Sequence, residues 1–247
     1  MRRRAAVLAY GIVSYLIFLA SFLYAIGFLA NQVVPKSIDS GPTGSPAASI
    51  LVNMLLLALF AVQHSVMARP AFKRWWTRVI AAPMERSTYV LVASLLLLLL
   101  YWQWRPLPQP VWAVTNPAII AAVHGISAAG WLVVLGATFM IDHFDLFGLR
   151  QTYGHFAGWK DAPTPFMTPY LYRWIRHPIM LGFIIAFWAT PAMSIGRFLF
   201  AAVTTAYILV AIQLEERDLI HAHGDDYRAY RSRTSMLVPI PRRTPPP

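Results

Sequence analysis

Arg176-His177-Pro178 stands directly before one apolar stretch, and Glu215-Glu216 stands directly after another. The stretch between them, Ile179–Gln213, is too long for one straight span and is interrupted by Pro191, Gly196 and Arg197. That pattern predicts a helical hairpin with a short first arm. A hairpin returns its two ends to one place, so the basic pair and the acidic pair should meet at one membrane surface. Proline is tolerated at the first helical position, where its missing N–H has no intrahelical partner to lose. Arg176 and His177 are therefore expected beside a helix N-terminus. Charges of both signs among Tyr172, Trp174, Tyr227 and Tyr230 suit a zwitterionic ligand carrying a carboxylate, an amine, a ribose and a base. Taken singly, a basic pair before a span is a topology anchor and an acidic pair after one is solvated. The joint spacing is what points to a site.

A second cluster, Asp142-His143-Phe144-Asp145, ends an earlier apolar run. A histidine among carboxylates can accept a proton near neutral pH. The bland alternative is a helix cap facing headgroup water. Gln63 and His64 sit inside a third apolar run, and polar groups at such depth usually face the bundle interior. They are candidates for lining a substrate pocket, with a structural hydrogen bond as the alternative. His124 reads as a packing histidine, and His155 is uninformative. His221 and His223 alone do not make a zinc site, which takes three or four convergent ligands. No metal is expected. The chain has no cysteine, which removes disulfides, thiolate metal sites and a cysteine nucleophile together.

The elements that must position these residues are membrane helices. Of 247 residues, 57% are hydrophobic and only 13% charged. Soluble domains carry about 25% charged residues, so lipid is the natural solvent. A span takes about 20 apolar residues. Four are expected, at about 5–30, 47–67, 87–104 and 117–141, followed by the hairpin. The N-terminal apolar run is too long for the core of a signal peptide. Residues 68–86 carry five basic residues and two tryptophans, and read as an amphipathic segment lying on the membrane. Residues 31–46 read as a polar loop, and 142–178 as a long one; loops of that length are usually functional. The expected fold is thus all-α and membrane-embedded, four spans plus a C-terminal transmembrane hairpin with an active-site cap. Its division is a bundle at 1–141, a cofactor-binding and catalytic region at 142–240, and a disordered tail at 241–247.

Net charge is +11, concentrated at the N-terminus, 68–86, 142–178 and the C-terminal tail. The positive-inside rule puts these in the cytoplasm, and hence the site on the cytoplasmic side of an inner membrane. Such charge is met by lipid headgroups here, and no nucleic-acid partner is expected.

The pattern RHPxxxG, a hairpin, then EExxLxxxxGxxYxxY resembles the C-terminal core of the isoprenylcysteine carboxyl methyltransferase superfamily over about residues 160–240. FAVQHSVMAR (60–69) and DHFDLFGLRQ (142–151) extend the resemblance to its methanethiol S-methyltransferase and NnrU-like branch. The resemblance implies S-adenosylmethionine as cofactor, held by Thr164, Pro165, Phe166, Met167, Tyr172, Arg176, His177, Pro178, Met180 and Glu215 or Glu216, with Gln151 a weaker candidate. It also implies a thiol acceptor; the residues themselves suggest the base, since His143 held by Asp142 or Asp145 could take the thiol proton directly or through water. Two departures stand out. Met180 replaces the tyrosine common two residues after the motif proline. Residues 208–213 lack the arginine that would meet a prenylcysteine carboxylate, which favours a small uncharged thiol. Open alternatives are a methyltransferase for a lipid or larger thiol, an NADPH-dependent membrane reductase of related fold, and a non-enzymatic membrane protein.

Overall fold

The computed structural model describes residues 1–159 and 167–239. The expected tail at 241–247, and Thr164, Pro165 and Phe166, lie outside the described residues. The elements in chain order are α1 (Arg2–Ala30), α2 (Pro46–Ala68), α3 (Pro70–Trp76), α4 (Glu85–Gln103), β1 (Pro110–Ala113), α5 (Pro117–Ile141), α6 (His143–Leu146), α7 (Leu149–Ala157), α8 (Pro178–Trp188), β2 (Ala192–Ser194), α9 (Ile195–His223) and α10 (Asp225–Arg233). Single 3₁₀ turns precede α4 and α8, and β1 pairs with β2. Four helices open on proline, at Pro46, Pro70, Pro117 and Pro178. Ser45 and Asn116 cap two of them by accepting backbone N–H bonds through their side chains.

Helices α1, α2, α4, α5 and α9 are each long and apolar enough to cross a membrane, and α8 is a shorter apolar helix of 11 residues. The chain is a multi-pass helical membrane protein. At 1.5 Å per residue, the 29 residues of α9 extend about 44 Å, well beyond a hydrocarbon core of about 30 Å.

The chain forms two compact units that interleave in sequence. One comprises residues 1–112, 144–163 and 193–200, the other residues 113–143, 164–192 and 201–247. In the first unit, α1 packs on α4 and α7, and α2 packs on α4. The stretch 142–178 is therefore not one long loop. Helix α7 lies within it, because Gly11 leaves a notch in α1 that Thr152 fills; a Cβ at Gly11 would fall 2.2 Å from Thr152 Oγ1. Phe147 stacks on Phe18 at 3.8 Å, and Ser87 Oγ donates to the Gly148 carbonyl at 3.2 Å.

Residues 31–46 are also more ordered than a polar composition suggests. Asp39 Oδ2 accepts from Arg197 Nε at 2.8 Å and Asn31 Nδ2 at 2.7 Å, while Oδ1 accepts from Ser194 Oγ at 2.5 Å. Ile38 is buried and its carbonyl accepts from Trp104 Nε1 at 3.1 Å. Asn53, the polar interruption in α2, is fully buried. Its side-chain amide donates to the Arg105 carbonyl and accepts from the Arg105 N–H, both at 2.8 Å. It replaces the bonds the backbone lost when α4 ended. Asn53→Leu keeps the branching and the number of side-chain heavy atoms and strands both groups, so it should lower unfolding free energy by about 2–4 kcal/mol. Thermal unfolding in detergent would read that loss.

In the second unit, α5 and α8 make the main contact. Gly130 and Gly182 face each other there so closely that neither has room for a side chain. The glycine of RHPxxxG thus has a packing reason: it lets α8 lie flush on α5.

Candidate functional site

Pro178 is fully buried at the first position of α8, and its ring disfavours helical backbone at the residue before it, so His177 stands outside the helix. Residues 175–177 find a partner in the C-terminal segment. Ile175 and Ser235 form a parallel bridge. The Arg176 N–H donates to the Ser235 carbonyl at 2.9 Å, and the His177 N–H to the Met236 carbonyl at 3.2 Å. The backbone thus holds both basic residues before their side chains make any contact.

The side chains converge on Glu216 from α9. Its Oε1 accepts from Arg176 Nε at 2.7 Å and lies 3.2 Å from His177 Nε2. Its Oε2 lies 3.0 Å from Arg231 Nε of α10. Arg176 Nη1 also donates to the carbonyls of Arg231, at 3.1 Å, and Thr234. Glu216, Arg176 and His177 are all buried. A buried carboxylate is stable only when its lone pairs are met, and here two guanidiniums and an imidazole meet them. Glu215 behaves differently. It lies 3.5 Å from His177 Nδ1, and its side chain is 47% exposed. One member of the acidic pair is consumed inside the protein, and the other faces outward beside the same histidine.

The basic and acidic pairs expected to meet do meet. Tyr172 stands close by: its hydroxyl donates to the Ala137 carbonyl at 3.4 Å, and its own carbonyl accepts from Tyr230 Oη at 2.5 Å. Burial pushes Tyr230 up to about 12, and pushes Tyr172 and Tyr227 up further, so all three stay neutral donors. Tyr170 and Trp174 are largely exposed, as is Met167, while Met180 is half-buried in the first turn of α8. This set offers a carboxylate, guanidiniums, hydroxyls and exposed aromatic faces, which fits the groups of a nucleoside carrying an amino acid and a sulfonium. Arg231 and residues 234–236 escaped the sequence reading. Arg231 lies directly after the Tyr230 of the YxxY pattern, but nothing in the sequence showed that Glu216 was buried and needed a second cation.

His143 follows α5 in the same unit and is buried. Thr138 Oγ1 donates to the Leu135 carbonyl at 2.7 Å and lies 2.8 Å from His143 Nδ1. With the hydroxyl proton directed to Leu135, Thr138 accepts from Nδ1–H, which is the neutral tautomer with Nε2 as the basic nitrogen. Burial lowers the His143 pKa, and the Asp142 charge raises it by less, so the ring stays neutral below the usual histidine range. Phe139 stacks on its face at 4.1 Å. Thr138 was not anticipated; its spacing of five before His143 is the signal that was available.

In the other unit, Gln151 Nε2 donates to the Asp145 carbonyl at 3.1 Å and to its Oδ1 at 3.3 Å. Tyr89 Oη lies 2.8 Å from His64 Nε2, and Phe60 stacks on the His64 ring. Gln63 Nε2 donates to Met67 Sδ at 3.0 Å. The amide oxygens of Gln63 and Gln151 are buried without a hydrogen-bond partner among the described residues. Each can accept from a ligand donor. Among the described residues, no group of three or more His, Cys, Asp or Glu gathers to hold a metal.

A multi-pass helical protein with a buried ion cluster at the start of a short helix, and a neutral histidine after a long one, defines a class of membrane-embedded site rather than a soluble fold. The NnrU protein family matches residues 52–236, and the chain belongs to that family. It is similar to two proteins of Bradyrhizobium diazoefficiens. Methanethiol S-methyltransferase 1 is 57% identical over 230 residues, covering 93% of this chain and 81% of that one. Methanethiol S-methyltransferase 2 is 57% identical over 241 residues, covering 97% and 92%. The methanethiol S-methyltransferase of Mycobacterium tuberculosis is 54% identical over 241 residues, covering 98% and 99%. No solved structure matches the chain.

Proposed function

We propose that the protein transfers a methyl group from S-adenosylmethionine to methanethiol, giving dimethyl sulfide, at a site facing the cytoplasm from the inner membrane. The observation that carries this reading is near full-length similarity to proteins named for methanethiol methylation, joined to a half-exposed carboxylate set on a buried ion cluster. When bound, S-adenosylmethionine supplies a methyl on a positively charged sulfur, which a thiolate displaces to leave S-adenosylhomocysteine.

The residues then have separate tasks. Glu215 faces the positive groups of the cofactor, and Tyr172, His177, Pro178 and Met180 line its seat, with Thr164–Met167 as further contacts. Glu216 and Arg176 hold His177 in place from behind. His143 Nε2 accepts the thiol proton, because the thiolate is the nucleophile and a plain thiol titrates near 8.5 or above. Asp142 stabilises the imidazolium that results, and Asp145 orients Gln151. The thiol arrives by partitioning through the bilayer.

Titrating the detergent-purified protein with S-adenosylhomocysteine by calorimetry tests the reading. Saturable binding is expected, weakened about tenfold or more in Glu215→Ala, the scale of one charge-assisted contact. A well-folded sample that ignores S-adenosylhomocysteine and binds NADPH would point instead to a reductase.

A further inference from the structure

The cofactor reading leaves Arg231 without a role, yet it is the cation that meets the second oxygen of Glu216. We infer that Arg231 is a positioning residue for the cofactor site: it holds the Glu216 carboxylate so that His177 and Glu215 present the binding geometry. This rests on the reading above and goes beyond it.

Glu216 Oε1 is shared by Arg176 Nε and His177 Nε2, while Oε2 turns toward Arg231 Nε. The carboxylate is almost fully buried, with 3% of its side chain exposed, so an oxygen that loses its counter-charge is not rescued by bulk water. Without Arg231, the carboxylate gains by rotating to share both oxygens between Arg176 and His177. Arg176 resists, because its Nη1 is tied to the carbonyls of Arg231 and Thr234 and its N–H to Ser235. His177 is the softer partner. Turning its ring alters the 3.5 Å approach of Nδ1 to Glu215, the carboxylate left for a ligand. Arg231 itself is partly exposed on α10, so losing it opens no cavity in the core. It therefore acts on the site more than on the fold.

Geometry and bare charge make opposite predictions. S-adenosylmethionine carries a net positive charge, and S-adenosylhomocysteine carries none. If Arg231 acted only by its field, removing it would tighten S-adenosylmethionine relative to S-adenosylhomocysteine. If it positions Glu216, both ligands weaken together.

The test uses the full chain in lipid nanodiscs, with calorimetric affinities for both ligands and steady-state methanethiol methylation. Arg231→Met should weaken both ligands about tenfold and raise KM for S-adenosylmethionine similarly, with kcat within about twofold, since one partner of a buried carboxylate's ion pair is lost away from the reacting atoms. Arg231→Lys should recover most of the affinity. In a Glu216→Gln background, Arg231→Met should add nothing further. Should Arg231→Met fail to fold, Arg231→Gln carries the same comparison. Unchanged affinity, tightening of S-adenosylmethionine alone, no recovery by lysine, or additivity with Glu216→Gln would each overturn the inference. Absence of S-adenosylhomocysteine binding to the unsubstituted protein would remove the cofactor reading and this inference with it; binding there with a silent Arg231→Met removes the inference alone.

Discussion

Alanine at position 182 should lower the unfolding free energy by about 1–3 kcal/mol, the range for forcing a methyl group into a packed interface. The added Cβ would fall 2.7 Å from the Gly130 carbonyl oxygen and 2.8 Å from the Val134 nitrogen. Those are backbone atoms of α5, so no side chain can swing aside and the helices themselves must separate. The same holds from the other side, where a Cβ on Gly130 would meet the Ala186 nitrogen at 2.7 Å. Close approach of this kind is how membrane helices associate when lipid supplies no hydrophobic drive. Separation also weakens the Ser127 Oγ bond to the Ala186 carbonyl, now 3.2 Å. Because α8 carries Pro178 and the motif at its start, the displacement should reach the ion cluster and weaken ligand binding too. Gly136→Ala on the same α5 is the control. Its Cβ would meet nothing within 4 Å, so it should be neutral or stabilise slightly through helix propensity. Thermal unfolding of the three proteins in one detergent decides it, and equal loss in Gly182→Ala and Gly136→Ala would refute the packing account.

Hydropathy made the helices legible because lipid permits so few alternatives. Backbone groups in a hydrocarbon core must bond within their own segment, so a run of apolar residues is already a helix, and its prolines mark where it begins. The expected fourth span and α5 share both ends, Pro117 and Ile141. The meeting of Arg176-His177 with Glu215-Glu216 was legible for a similar reason, since a hairpin has one way to close. What stayed hidden was everything set by burial rather than by pattern. Glu215 and Glu216 are neighbours of one residue type, and only their rotation about α9 makes one internal and the other available. Asn53 stands in the sequence as a polar residue in an apolar run, with nothing to show that it substitutes for a missing peptide partner. Gly11 and Thr152 are 141 positions apart, and no local period announces that a notch awaits a side chain. Residues 142–178 read as a loop because α7 is short and polar along much of its length, and its stability comes from α1 rather than from its own propensity.

Removing the imidazole of His143 should reduce kcat/KM for methanethiol by about a hundredfold or more, the usual contribution of a positioned general base. The direction of the pH dependence follows from what surrounds the ring. Burial lowers the His143 pKa, and the Asp142 charge opposes that without reversing it. The basic form is the neutral one, so activity should persist as pH falls through about 6.5, the ordinary histidine value, and fail only at lower pH. Stability shares the sign. In the unfolded chain the ring takes up a proton near 6.5 while the buried ring does not, so stability is lost as pH falls from there toward the folded pKa. Asp142→Asn removes the opposing charge and should move the acid limb lower still. Thr138→Val probes the tautomer instead. With no hydroxyl to accept from Nδ1–H, the ring is free to place its proton on Nε2, the nitrogen that must receive the thiol proton. A fall in kcat with the acid limb left in place is then expected, in protein whose thermal unfolding and ligand affinity match the unsubstituted chain. Full activity with an unchanged pH profile in His143→Ala would end the assignment. The thiol would then have to bind as a preformed thiolate, and the neutral imidazole held by Thr138 would be a packing element under the α5 terminus.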